Sequence, residues 1–290
     1  MKRAMTWLSV LAMLGIAAAL WLTRPAVVSP ARFASLQGNA ARGEVVFWAG
    51  GCASCHKAET SDDDLALPGG RRFATQFGTF TAPNISPDPT HGIGDWTMAE
   101  FASALLHGTS PEGRHYYPAF PYASYARMND QDVADLWAFM QTLPALPLAS
   151  QRHDLTFPFN VRATLGAWKF LFLKPAWVRP AETPELKRGR YLVEALGHCA
   201  ECHTPRNFLG GSLASAWMEG APHPAGKGRI PGLVPSALDW SAEDIAYYLE
   251  TGFTPDFDSA GGDMAEVVAT IGRLSPEDRL AIARYIKALE

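Results

Sequence analysis

Five residues recur as a pattern: Cys52-Ala53-Ser54-Cys55-His56 and, 147 positions later, Cys199-Ala200-Glu201-Cys202-His203. C-x-x-C-H reads as the attachment site of a c-type haem. Two thiols three residues apart can form thioethers with the two vinyl groups of one porphyrin. The following histidine then places its imidazole under the iron. Other readings fit less well. A four-thiolate zinc site needs neither histidine, and its pairs lie ~15–20 residues apart. A thioredoxin-like pair needs a βαβ context, and no strand alternation surrounds either motif. Disulfides across such short loops are disfavoured. The motifs use all four cysteines of the chain. Two covalent haem c groups are therefore expected, attached at Cys52, Cys55, Cys199 and Cys202, with His56 and His203 as proximal iron ligands. This constrains the fold, because the porphyrins would supply much of the apolar core of small, loop-rich units.

Composition agrees. Apolar residues make up 48 % of the 290, which excludes global disorder. The 22 prolines and 25 glycines suit long irregular loops. The net charge of −4 gives no basic field for a nucleic acid. Lys2 and Arg3 precede an apolar run over 4–22, broken only by Thr6, Ser9 and Gly15. That run exceeds the ~7–15 residues of a cleaved leader core and approaches the ~20 of a membrane span. No A-x-A cleavage site follows it, so an uncleaved anchor is expected. Its cations would stay in the cytoplasm and the rest of the chain would lie outside. In bacteria c-type haems are attached on that outer side, which puts the chain on the periplasmic face of the inner membrane. Beyond Phe33 the charges are 21 basic and 29 acidic, a net −8 suited to basic partner surfaces.

The motifs anchor a longer repeat. A helix is expected before each, over 41–51 and 184–197. The second begins at Thr183 with Pro184 at its first position, and carries a stripe of Leu186, Arg190, Val193 and Leu196. A second helix follows each motif. One is capped by Thr97 with Glu100 and stopped at Gly108. The other is capped by Ser241 with Asp244 and stopped at Gly252. A third starts at Asn129 with Asp132, or at Ser275-Pro276 with Asp278. The expected organisation is a leader or anchor over 1–33, haem units over 34–143 and 181–290, and a linking strap over 144–180. The strap's Trp168, Phe170, Phe172 and Trp177 read as packing across both units. A membrane or partner surface is the alternative.

The repeat also bears on the sixth iron ligand. Met264 follows Gly261-Gly262-Asp263, and a thioether on such a loop ahead of the last helix is the expected distal ligand of the second iron. In the first copy the equivalent place is Phe120, which cannot bind iron. Met128 matches Leu274, a packing position just before the last helix cap. His115, Met128 or no protein ligand remain the alternatives for the first iron. His91 reads as a loop residue and His107 as a cation at a helix end. The two haems are expected to differ in potential.

Several stretches resemble the cytochrome c subunits of membrane-bound alcohol and gluconate dehydrogenases. They include 78–89 with Gly92-Ile93-Gly94-Asp95-Trp96, Tyr117-Pro118-Ala119 before Pro121-Tyr122, 202–207 with Leu209-Gly210-Gly211, and 264–268. The resemblance covers about 43–289. It implies an all-α fold of two tandem class I-like cytochrome c domains with long irregular loops, preceded by an N-terminal hydrophobic helix. It also implies haem roles for Cys52, Cys55, His56, Cys199, Cys202, His203 and Met264. Three features depart from the family. There are two haem motifs where well-known members have three. Phe120 stands where the family often has methionine. Pro231-Gly232-Leu233-Val234-Pro235 stands where the first copy has Pro83-Asn84-Ile85, so contacts near the second haem are expected to change.

The function this points to is electron transfer from a dehydrogenase donor to a quinone, cytochrome or oxidase acceptor, without substrate chemistry. The alternative is a dihaem oxidoreductase acting on a sulfur species or a peroxide at the first haem. A haem sensor would rest on the same open site. No nucleotide-binding glycine loop or Ser/His/Asp arrangement competes.

Overall fold

The computed structural model describes residues 2–58, 61–226 and 228–289. The chain is mostly helical. Helix α1 (Lys2–Leu22) carries an apolar run over Arg3–Leu22 that is long enough to cross a membrane, and that run is unburied.

Each half of the remaining chain builds a helix pair of the same kind. In the first, α2 (Ala40–Ala49) lies along α6 (Asp130–Met140). In the second, α8 (Pro184–Arg190) lies along α12 (Pro276–Lys287). The reason for the close approach is the same in both. A Cβ on Gly43 would stand 1.9 Å from the Asp135 carbonyl oxygen, and one on Gly189 would stand 2.1 Å from that of Ala281. Only glycine lets the backbones come this near. An arginine beside each glycine grips a carboxylate across the crossing: Arg42 to Asp135 and Arg188 to Asp278. After α8 the helix continues as a π-type turn through Leu196, so the stretch expected over 184–197 is helical but changes its pitch.

The haem motifs form the short helices α3 (Cys52–His56) and α9 (Ala200–His203). Helices α4 (Met98–His107) and α10 (Ala242–Thr251) carry the two capping boxes read from the sequence. Both end on a left-handed glycine, Gly108 at φ 58° and Gly252 at φ 79°. Three helices went unread. They are α5 (Tyr122–Tyr125), α7 (Leu165–Phe172) and α11 (Asp263–Ile271). The first is one turn long behind Pro121, α7 carries Gly166 inside it, and Gly261-Gly262 precede α11, which hides their period.

Strands also occur, against expectation. β1 (Arg72–Thr75), β2 (Gly78–Thr81) and β3 (Asp154–Leu155) form an antiparallel sheet in that order, with Arg72 opposite Thr81 and Gly78 opposite Leu155. β4 (Ala221–Pro222) pairs with β5 (Arg229–Ile230). Runs of two to four residues are too short to show alternation in sequence. Through β3 the segment over 144–180 is stitched to the first half. Its α7 then reaches the second: Trp168 Nε1 donates to the Leu209 carbonyl at 2.9 Å, and Phe172 covers Gly211. One apolar cluster runs through both halves, from Phe47 and Val133 to Leu192 and Tyr285.

Candidate haem-binding site

His56 and His203 occupy matching surroundings. His56 Nδ1 lies 2.8 Å from the Pro83 carbonyl, and His203 Nδ1 lies 2.8 Å from that of Pro231. A carbonyl only accepts, so each Nδ1 carries the proton and each Nε2 keeps a lone pair for a metal. Each motif is braced once more from behind. The Gly69 N–H donates to the His56 carbonyl and the Gly220 N–H to that of His203, both at 2.8 Å. The proline-glycine loop at 231–235 thus keeps the contact to its histidine. What changes is one residue on. Asn84 donates to the carbonyls of Leu146 and Leu148 and accepts from the Ser86 N–H, whereas Gly232 stands in its place.

The four cysteines form no disulfide. Burial pushes the Cys52 and Cys199 thiols up to about 12. Among the described residues no three His, Cys, Asp or Glu side chains converge as a metal cage. The two pairs therefore belong to two separate motifs rather than one zinc site. Next to Met218, whose N–H donates to Thr204 Oγ1 one residue after His203, the buried Trp217 indole N–H has no partner among the described residues. It is a donor left for an oxygen of a bound group. Paired thiols, a histidine with a free Nε2 and a spare donor fit a covalently attached haem.

The fold also brings the motifs together. The His198 ring, one residue before Cys199, reaches the Gly50 carbonyl at 3.3 Å. The Tyr125 hydroxyl donates to the same carbonyl at 2.8 Å, and its ring meets His198 edge to face. The exchange is reciprocal. α5 of the first half packs on the π-turn ahead of the second motif, while α11 of the second half packs on α2 and α3. Ser54 Oγ donates to the Glu266 carbonyl, and Arg71 faces Asp263 and Glu266.

On the distal side the halves align through matching turns. The Tyr116 N–H donates to the Gly108 carbonyl and the Ala260 N–H to that of Gly252, both at 2.7 Å. This register sets Phe120 opposite Met264 and His115 opposite Ser259. Met264 is half-buried against the core and lies in the first turn of α11, not on the loop before it. Phe120 sits among the rings of Tyr116, Tyr122 and Tyr125. Met128 is buried in the slot that Leu274 fills in the other half; each donates its N–H to the carbonyl three residues back. His115 is buried, and its Nε2 donates to the Thr23 carbonyl at 3.0 Å. His91 is exposed in a turn. His107 is not the cation at the end of α4, because burial lowers its pKa. Lys169, from α7, caps that end instead, donating to the carbonyls of His107 and Gly108, and burial lowers its pKa to about 7. Sixty residues of separation hid it from any local reading.

A family model described as cytochrome c matches residues 40–144, the stretch that carries α2, the first motif, α4 and α6. Over 99 % of its length the chain is 58 % identical to a "Diheme cytochrome c-type" protein of Cereibacter sphaeroides, covering 98 % of that protein. The chain belongs to the cytochrome c family. It is also 37 % identical to the fructose dehydrogenase cytochrome subunit of Gluconobacter japonicus and 36 % identical to the gluconate 2-dehydrogenase cytochrome c subunit of Pantoea cypripedii. In both matches 86 % of this cytochrome is covered, and it spans only 52 % and 59 % of those two subunits. The resemblance read from the sequence motifs is thus shown, and haem c is the cofactor of the family.

Proposed function

We propose that this cytochrome is a dihaem electron carrier of two tandem cytochrome c domains, over 34–143 and 181–290, joined by the strap over 144–180. Cys52 with Cys55 and Cys199 with Cys202 hold the two groups, and His56 and His203 are the proximal ligands. The observation that carries the reading is the doubled histidine geometry: two motifs, each with Nδ1 on a proline carbonyl, set back to back across Gly50 and His198. Bound haem supplies a one-electron couple at each iron. The chain orients both imidazoles and keeps the motifs within a few residues of each other. Met264, half-buried in the first turn of α11, would be the distal ligand of the second haem. At the first motif Phe120 would offer no ligating atom, His115 is tied through Nε2 to Thr23 and Met128 sits in the core, so a haem bound there would keep an open distal position.

The name of the fructose dehydrogenase relative supports a dehydrogenase as electron donor, with a quinone, cytochrome or oxidase downstream. α1 serves as a membrane anchor that places the haem domains on the periplasmic side of the bacterial inner membrane. The open position under Phe120 favours one second reading, a dihaem oxidoreductase of a small sulfur species or peroxide. Full chain purified from a host competent in cytochrome maturation tests both parts. The intact mass should carry two haems, and carbon monoxide should shift the spectrum of half the ferrous haem. One haem or none would overturn the dihaem reading. No shift would overturn the open first site.

A further inference from the structure

Outside the haem site, the largest unexplained feature is a band of exposed aromatic and aliphatic side chains. Phe157 is 80 % exposed, Phe170 64 %, Leu171 50 % and Phe208 83 %. They come from three segments that touch. Phe159 stacks on Phe77 at 4.8 Å, Phe77 lies against Gly210, and Leu209 accepts from Trp168 of α7. Contiguous apolar surface of this kind is uncommon on a protein bathed only by water.

Its position relative to α1 identifies what covers it. α1 ends at Leu22, and Arg24 lies over the Trp21 ring at 5.2 Å. Tryptophan and arginine at the end of an apolar helix mark the headgroup level of a bilayer. The next contact of the chain is with α7. A Cβ on Gly166 would stand 2.2 Å from the Thr23 carbonyl oxygen, and His115 holds the same carbonyl. α7 therefore starts at the headgroup level. The helix hides its own charge: Lys169 turns inward to the carbonyls of His107 and Gly108, while Ala167, Phe170 and Leu171 face out. Lys174 is exposed just beyond the helix, where a lipid phosphate would meet it.

We propose that α7, with the loops at Phe157 and Phe208, is a second membrane contact that seats the haem domains directly on the lipid surface. The proposal rests on α1 being an anchor. α7 lies in the interfacial plane with its outward face sunk about 5–10 Å below the headgroups. The seat fixes the orientation of the two motifs relative to the membrane, which a single helix on a flexible tether would leave free.

The test is lipid photolabelling of the full holoprotein. It is reconstituted in vesicles of phosphatidylethanolamine and phosphatidylglycerol that carry a minor fraction of a phospholipid with a diazirine on its acyl chain. After illumination, adducts are mapped by peptide mass spectrometry. The expected result is labelling in α1, at Phe170 or Leu171 and at Phe157 or Phe208, with none at Phe257. That last residue is 92 % exposed on a pocket formed with Tyr247 and Phe253, to which no residue of α7 contributes. Labelling confined to α1 would overturn the seat and leave the anchor standing, making the patch a surface for a protein partner. Absence of label in α1 would overturn the anchor, and the seat with it. Equal labelling of Phe257 and the α7 face would show unspecific lipid contact and overturn the seat as well.

Discussion

The two halves share their proximal architecture almost contact for contact and part company on the distal side. Glycine crossings, arginine–carboxylate clasps, capping boxes and the histidine–proline hydrogen bond all recur. Phe120 against Met264 does not. Most of the repeated features have a backbone group as one partner, and the carbonyl beside each histidine is kept although Asn84 changes to Gly232 next to it. A distal ligand at the place of Met264 would be one side chain, so one substitution there would redefine the iron site while the scaffold stays intact.

The largest effect should come from removing one attachment pair. Cys199→Ala with Cys202→Ala should leave one haem per chain, seen as half the haem absorbance per protein and one haem in the intact mass. Next, Met264→Ala should lower the potential of the second haem alone, because a thioether raises it. The same variant should bind carbon monoxide at both irons. Phe120→Met sharpens the comparison from the other side. It should raise the potential of the first haem toward that of the second and abolish the carbon monoxide shift.

Smaller effects separate the two helix clasps. The Asp135 side chain is 1 % exposed and also accepts from the Asn39 N–H and from Gln131, whereas Asp278 is 16 % exposed. Asp135→Ala should cost about 2 kcal/mol, mostly through the unsatisfied Asn39 N–H. Asp278→Ala should cost under ~1 kcal/mol. Denaturant melts of the holoprotein measure both. The same carboxylate predicts a pH response. Burial alone would raise the Asp135 carboxyl, but hydrogen bonds from Arg42, Asn39 and Gln131 outweigh it and hold it below its ordinary range. A lowered folded pKa means the unfolded chain binds more protons. The contribution is therefore whole above pH ~4 and is lost as pH falls through the folded value. Asp135→Asn should flatten that acid limb of the stability curve.

Local signals carried much of this structure. The two C-x-x-C-H motifs, Thr97 with Glu100 and Ser241 with Asp244 each state their geometry within five residues, and the structure holds both capping boxes as read. Counting back from Met128 and Leu274 brings the place of Met264 near Phe120 in the sequence, and the matching turns after Gly108 and Gly252 fix it there. What was hidden depends on distance. Pro83 and Pro231 carry no mark of the histidine they hold 27 and 28 residues away. Lys169 caps a helix from another segment. α11 was hidden because Gly261-Gly262 reads as a loop, although its second glycine sits at the helix cap with φ 56°. The aromatics of the strap divide by burial: Trp168, Phe172 and Trp177, which meets Tyr191 and Arg190, pack, while Phe170 faces outward, a split that no sequence period shows.

A spectroelectrochemical titration of the intact holoprotein puts the unequal distal sides to the most direct trial. The predicted result is two one-electron steps of equal amplitude, with the higher step lost on Met264→Ala and the lower one shifted upward on Phe120→Met. A single step common to both haems, unmoved by either substitution, would contradict the account.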